Sequence, residues 1–190
     1  MCEIAMQSAQ KDNPDSRITF STSSGERLEK YAFAMRGIVA GDLDLWNRNF
    51  WEVPISGSHW RFLQTTFKNQ SHYAGRTLAI NWSNEGEGML RPGKRNRAYG
   101  NNGVAVCRMG EIKASLYSGD LYDQNVATVV PISPDHLPAI WSYCCSKQYE
   151  ADLREIDQKL NITNATLIKV PFDLAHWQKV AAEKYPHGLP

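Results

Sequence analysis

No stretch of the 190-residue chain approaches the ~18 consecutive apolar residues of a membrane span, and mean hydropathy is -0.47. A membrane-spanning helix is therefore not expected. The opening Met1-Cys2-Glu3-Ile4-Ala5-Met6 lacks the basic and long apolar segments of a secretory signal. The expected compartment is the cytoplasm. Cysteine is scarce. Cys2, Cys107 and the neighbours Cys144 and Cys145 form neither a disulfide framework nor a CxxC pair. Charge of one sign is also lacking: 21 Lys and Arg stand against 20 Asp and Glu, a formal net charge of +1. That balance excludes a uniformly basic nucleic-acid coat but leaves room for a local patch.

Catalytic motifs are missing too. The chain has no GxxxxGK[ST] phosphate loop, no HExxH and no GxSxG. Its five histidines (His59, His72, His136, His176 and His187) are scattered. None stands at zinc-ligand spacing from a cysteine. Cys144 belongs to an apolar helical face and reads as core.

What is present is a folded domain. Hydrophobic residues make up 42%, with six Trp, eight Tyr and six Phe, enough to build a core. The length suits one domain. Residues 1–16 read as a flexible lead-in or linker, ending in the turn-forming Asn13-Pro14-Asp15-Ser16. Residues 17–190 read as a single α+β domain, with a β-rich lobe with long loops over 17–132 and a helical part over 133–190.

Strands are predicted at 17–21, at 31–40 as a mostly buried run, at 77–82 and at 126–132. A hairpin of 104–109 and 111–117 is predicted to turn at Gly110. Trp60, Phe62, Leu63 and Phe67 fit one helical face or an irregular apolar cluster. Ser133-Pro134-Asp135 signals a helix start. Leu137, Ile140, Trp141 and Cys144 follow at helical spacing. A second helix carries Leu153, Ile156 and Leu160. Residues 165–170 read as a strand. Asp173 caps a last helix with Leu174, Trp177 and Val180 inward.

The strongest chemical signal lies in the glycine- and asparagine-rich segment 83–103. Arg91-Pro92-Gly93-Lys94-Arg95-Asn96-Arg97 places four cations in seven residues, and Asn101 and Asn102 follow. Lys and Arg neutralise phosphates and release counterions. Arg and Asn also make bidentate bonds to guanine and adenine edges. A long loop inside a compact domain is commonly functional. The bland alternative is a solvated loop. Arg48 and Lys113 are weaker candidates for the same surface. Trp46, Phe50, Trp51 and Trp60 have the chemistry to stack on bases, though most are expected in the core or in a lobe contact. Glu111-Ile112-Lys113 matches half of a divalent-metal nuclease core, in which the acid binds the metal and the lysine steadies charge. Its usual partner aspartate is missing nearby. A solvated strand face is the simpler reading.

Several of these segments, in this order, resemble the target-recognition (specificity) domain of the fused N6-adenine DNA methyltransferases of type IIG restriction–modification and related phage-defence systems. Gly37-Ile38-Val39-Ala40-Gly41-Asp42 opens the likeness, followed by Arg48 and Trp51-Glu52-Val53. Asn81-Trp82 precedes the basic loop, and Val129-Val130-Pro131 precedes a helix. Asn161-Ile162-Thr163 and Val170-Pro171 close the unit. The tail, Tyr185-Pro186-His187-Gly188-Leu189-Pro190, resembles the family's continuation. The likeness covers most of 31–190. Ala40 and Leu43 stand where the family has Thr and Asn, and Cys145-Ser146 where it has Asn-Ser, so any role of those polar groups is not carried over.

The resemblance implies duplex DNA as partner, recognised sequence-specifically. The basic loop falls in the family's variable part and matches no fixed motif of it; its own chemistry nominates Arg91, Lys94, Arg95 and Arg97 for phosphate and guanine contacts, with Asn96, Asn101 and Asn102 as adenine readers. The family's Asn-Pro-Pro-Tyr motif has no match; the only Asn-Pro is Asn13-Pro14. The chain thus reads as a specificity domain without its own catalysis, excised from or encoded apart from a methyltransferase domain. S-adenosylmethionine would belong to that domain, and no cofactor or metal is expected here. A nuclease using Glu111 and Lys113, or a protein-interaction module, are the competing expectations.

Overall fold

The computed structural model describes residues 25–190. The lead-in over 1–16, the strand expected at 17–21 and Cys2 lie outside the described residues. The chain is mixed α+β, with two four-stranded sheets and a helical C-terminal part. In chain order the strands are β1 (Ala32–Arg36), β2 (Asn47–Asn49), β3 (Trp60–Gln64), β4 (Leu78–Asn81), β5 (Asn102–Cys107), β6 (Ala114–Ser118), β7 (Leu121–Tyr122) and β8 (Val126–Pro131). The helices are α1 (Leu43–Trp46), α2 (Leu137–Cys144), α3 (Lys147–Ile156) and α4 (Leu174–Lys184).

The first sheet runs β1-β8-β5-β6, antiparallel throughout. Both faces of its centre are covered, so β8 is buried along its whole length. Alternation sorts the side chains. Val104, Val106, Ala127 and Val129 face the helices and pack with Ile140, Trp141, Leu153 and Leu167. Ala105, Val126 and Val130 face the other way, with Tyr117, Tyr122 and Ala98. The helices are capped locally. Ser146 accepts a hydrogen bond from Tyr149 N at 3.1 Å, and Asp173 one from His176 N at 3.0 Å.

The second sheet runs β2-β4-β3-β7 and encloses a smaller core of Ile38, Leu63, Ile80, Met89 and Leu121. The chain leaves the first sheet after β6, adds the two residues of β7 to the second, and returns as β8. Arg108 braces this crossing. Its Nε donates to Ile162 O at 2.8 Å and its Nη1 to Gln124 O at 2.9 Å.

Several expectations need correction. The 31–40 run is a strand only to Arg36, and of its residues only Ala32, Ile38 and Ala40 are buried. At Gly37 the chain turns away, and Ile38 N donates to Tyr122 O at 2.8 Å. A Cβ on Gly37 would lie 2.2 Å from Asp123 O, so no other residue makes this approach without a shift. Residues 60–64 form a strand, not a helix, because β4 pairs with them. The hairpin turn is wider than a single Gly110, with β5 ending at Cys107 and β6 starting at Ala114. Ser133 makes no side-chain cap; Pro134–His136 form a 3-10 turn into α2. The helix expected to reach Leu160 stops at Ile156, and Leu160 is exposed. Residues 165–170 are not a strand. Thr166–Ile168 form a 3-10 turn, with Thr163 Oγ1 accepting from Thr166 N at 3.3 Å.

Candidate nucleic-acid interface

The basic loop hangs between the two sheets and is held at both ends. At its start, Arg91 and Val39 exchange backbone hydrogen bonds of 2.9 and 3.0 Å. At its end, Gly100 N donates to Gly119 O at 3.0 Å before β5 begins. Between these points the loop is folded by its own asparagines. Asn96 Nδ2 donates to Arg36 O at 2.9 Å and to the Tyr122 hydroxyl at 2.8 Å, while its Oδ1 accepts from Ala98 N at 3.0 Å. Asn101 Nδ2 donates to Arg97 O at 2.9 Å and Tyr99 O at 3.3 Å. Both side chains therefore shape the loop. A side chain so engaged has little capacity left to read a base. Tyr99 packs beneath the loop, where burial pushes its hydroxyl pKa well above the usual value.

The four cations differ. Lys94 Nζ lies 3.8 Å from Glu85 and 3.4 Å from Asn84 O, so it is partly neutralised. The Arg97 guanidinium sits 4.6 Å from the centre of the Phe33 ring. Arg91 and Arg95 are exposed, and neither side chain has a hydrogen bond or ion pair among the described residues. Asn102 is exposed at the start of β5; only its backbone is paired, with Ser118. Residues 84–102 carry these four cations against two carboxylates, Glu85 and Glu87, so the local balance is positive.

The weaker candidates lie apart. Arg48 Nη1 donates to Asp44 O and Asn47 O, each at 2.6 Å, on the second sheet. Lys113 is at the opposite end of the β5–β6 pair from the loop, about 17 Å away for five strand steps. It pairs with Glu111 at 2.6 Å and donates to Lys68 O. Among the described residues no three His, Cys, Asp or Glu side chains gather where one ion would reach them.

Other residues of the segments that carry the family likeness have structural duties. Asp42 caps α1, accepting from Asp44 N at 3.0 Å and Leu45 N at 3.2 Å. Beside it, a cavity of about 220 Å³ is lined by Ile38, Gly41, Asn47, Leu90 and Asp123. Asp123 accepts backbone hydrogen bonds from Asn125 and Val126, yet burial raises its carboxyl pKa.

The aromatic expectation needs revision. Phe50 and Trp51 are 39% and 64% exposed, and Phe62 is 38% exposed. These rings are surface groups, whereas Trp46 and Trp60 are half-buried. Phe62 was not a sequence candidate for stacking. Its strand pairing, which no local spacing announces, is what sets it on the surface.

No helix among the described residues is long and apolar enough to cross a membrane. No protein-family model matches this chain, and no curated protein matches it; the chemistry of the exposed surface is what speaks to function.

Proposed function

We propose that this chain is a DNA target-recognition domain, in which the loop around Arg91–Arg95 meets duplex DNA. The observation that carries the reading is an exposed, net-positive loop tied to β-structure at both ends, with two arginines unpaired among the described residues. A tethered loop loses less entropy on binding than a free one. Lys94 and Arg97 supply phosphate contacts, for which position matters less than charge. Arg91, Arg95 and Asn102 supply base-edge contacts, because their donors are uncommitted. Asn96 and Asn101 act one step back, as struts.

The family likeness extends the proposal. A fused or separate methyltransferase domain would carry S-adenosylmethionine and flip the target adenine. This chain would contribute specificity and no catalysis. Its arrangement of two sheets and a helical flank is proposed as the target-recognition fold.

Selection from a pool of random duplex DNA tests the reading. The expected result is enrichment of one short motif by the wild-type chain and loss of that enrichment in R91A/R95A. Absence of any enrichment at low salt by the folded chain would overturn it, and would favour a protein-interaction module.

A further inference from the structure

We infer that the outer face of the second sheet is a stacking platform for unpaired bases of a nucleic-acid strand. The inference rests on the nucleic-acid reading of the basic loop and extends it to a second contact of different chemistry. Arg48 and Phe62 are both register partners of Ala79, so the three side chains share one face across β2, β4 and β3. Phe50 lies 6.0 Å from Phe62 and 5.2 Å from Trp51, the latter pair edge-to-face at 82°. All three rings are more than a third exposed, and Trp51 is nearly two-thirds exposed. A contiguous exposed aromatic group is uncommon on a monomer and marks a contact surface.

The occupant follows from what borders the rings. Arg48 lies within the patch, and Arg61, which leaves β3 on the face opposite Phe62, lines a groove beside it; both guanidinium groups donate to main-chain carbonyls. This groove of about 310 Å³, lined by Arg61, Phe62, Trp82 and Tyr99, leads from the patch toward the loop. The Trp82 and Tyr99 rings meet at 6.4 Å. Trp82 and Pro92 both flank Gly86, where an added Cβ would lie 2.9 and 3.0 Å from them. The groove thus runs from Phe62 of the ring patch to Tyr99 of the basic loop. That combination suits a strand whose phosphates follow the positive loop while its bases stack on the rings. Paired bases in a duplex have no free faces, so the platform takes an unpaired segment or an extruded base.

Titration of tryptophan fluorescence with an oligothymidylate, beside a blunt duplex probe, tests the inference. The wild-type chain should be quenched by the single strand. W51A should bind it about tenfold or more weakly, since each stacked base contributes on that scale. W51F should retain most of the affinity, and duplex affinity should change less than about twofold, against about tenfold or more for the single strand. The thermal midpoint of W51A should match wild type, because Trp51 is exposed. Equal single-strand binding by W51A and wild type overturns the platform. Duplex binding without single-strand binding also overturns it, in favour of a protein contact, and leaves the loop reading standing. Binding of neither probe at low salt overturns both.

Discussion

Replacing Asn96 by alanine separates a strut from a base reader. Its amide makes three hydrogen bonds, to Arg36 O, the Tyr122 hydroxyl and Ala98 N. The losses are unequal. Arg36 is exposed, so its carbonyl regains water. The Tyr122 hydroxyl is buried but keeps Thr128 Oγ1 at 2.9 Å. Ala98 is fully buried, and its N–H is left without an acceptor. One stranded donor and one lost partial contact give a cost of about 2–4 kcal/mol. Urea denaturation measures it directly as a lower midpoint with unchanged slope. Asn96→Asp should also destabilise, because it keeps the acceptor and removes both donors. DNA affinity of N96A should fall while its dependence on salt is preserved, since every loop cation remains. Stability within about 0.5 kcal/mol of wild type, a change typical of featureless surface sites, would refute the strut.

Two further outcomes follow from the same geometry. Gly37→Ala should cost at least about 2 kcal/mol, because overpacking against backbone is not relieved by a side-chain rotation. The new Cβ would fall 2.2 Å from Asp123 O and 2.3 Å from Tyr122 O. Gly25→Ala, with nothing within 4 Å, should be neutral in the same urea assay; equal effects would contradict the close approach. Asp123→Asn should stabilise the chain at neutral pH. Burial raises the folded carboxyl pKa from its usual 3.8, so its favourable contribution is complete below the unfolded pKa and is lost as pH rises through the folded one. The amide keeps an acceptor for the Asn125 and Val126 N–H groups. The stability gap between D123N and wild type should close as pH falls below about 4, and a gap independent of pH would refute this.

The sequence makes some of this legible for clear reasons. The β-branched run at Val126–Pro131 and the apolar spacing of α2 carry strong local patterns, and both elements lie where those patterns place them. Asp173 announces α4 because an N-cap is a local device. The failures are non-local. Trp60, Phe62, Leu63 and Phe67 have no decisive period, and pairing with β4 decides their state. Residues 165–170 have strand composition, yet pairing with the Glu26–Leu28 segment begins only at Val170, whose O accepts from Leu28 N at 3.1 Å, and Thr163 offers a turn before it. β7 has two residues, too few for any periodicity, and with it went the division into two sheets. In the basic loop, composition marks the charge but not its division of labour. Whether an asparagine reads a ligand or ties a turn depends on carbonyls as distant in sequence as that of Arg36.

The most direct test of the central claim is the salt dependence of duplex DNA binding by the wild-type chain and by K94A/R97A, which lacks the two cations assigned to phosphates. Two lost phosphate-neutralising contacts should lower the log–log slope by about 1.8. Between ~50 and ~200 mM salt the wild type should therefore lose roughly tenfold more affinity than the variant. Parallel slopes for the two folded proteins would contradict the account and move the DNA face off this loop.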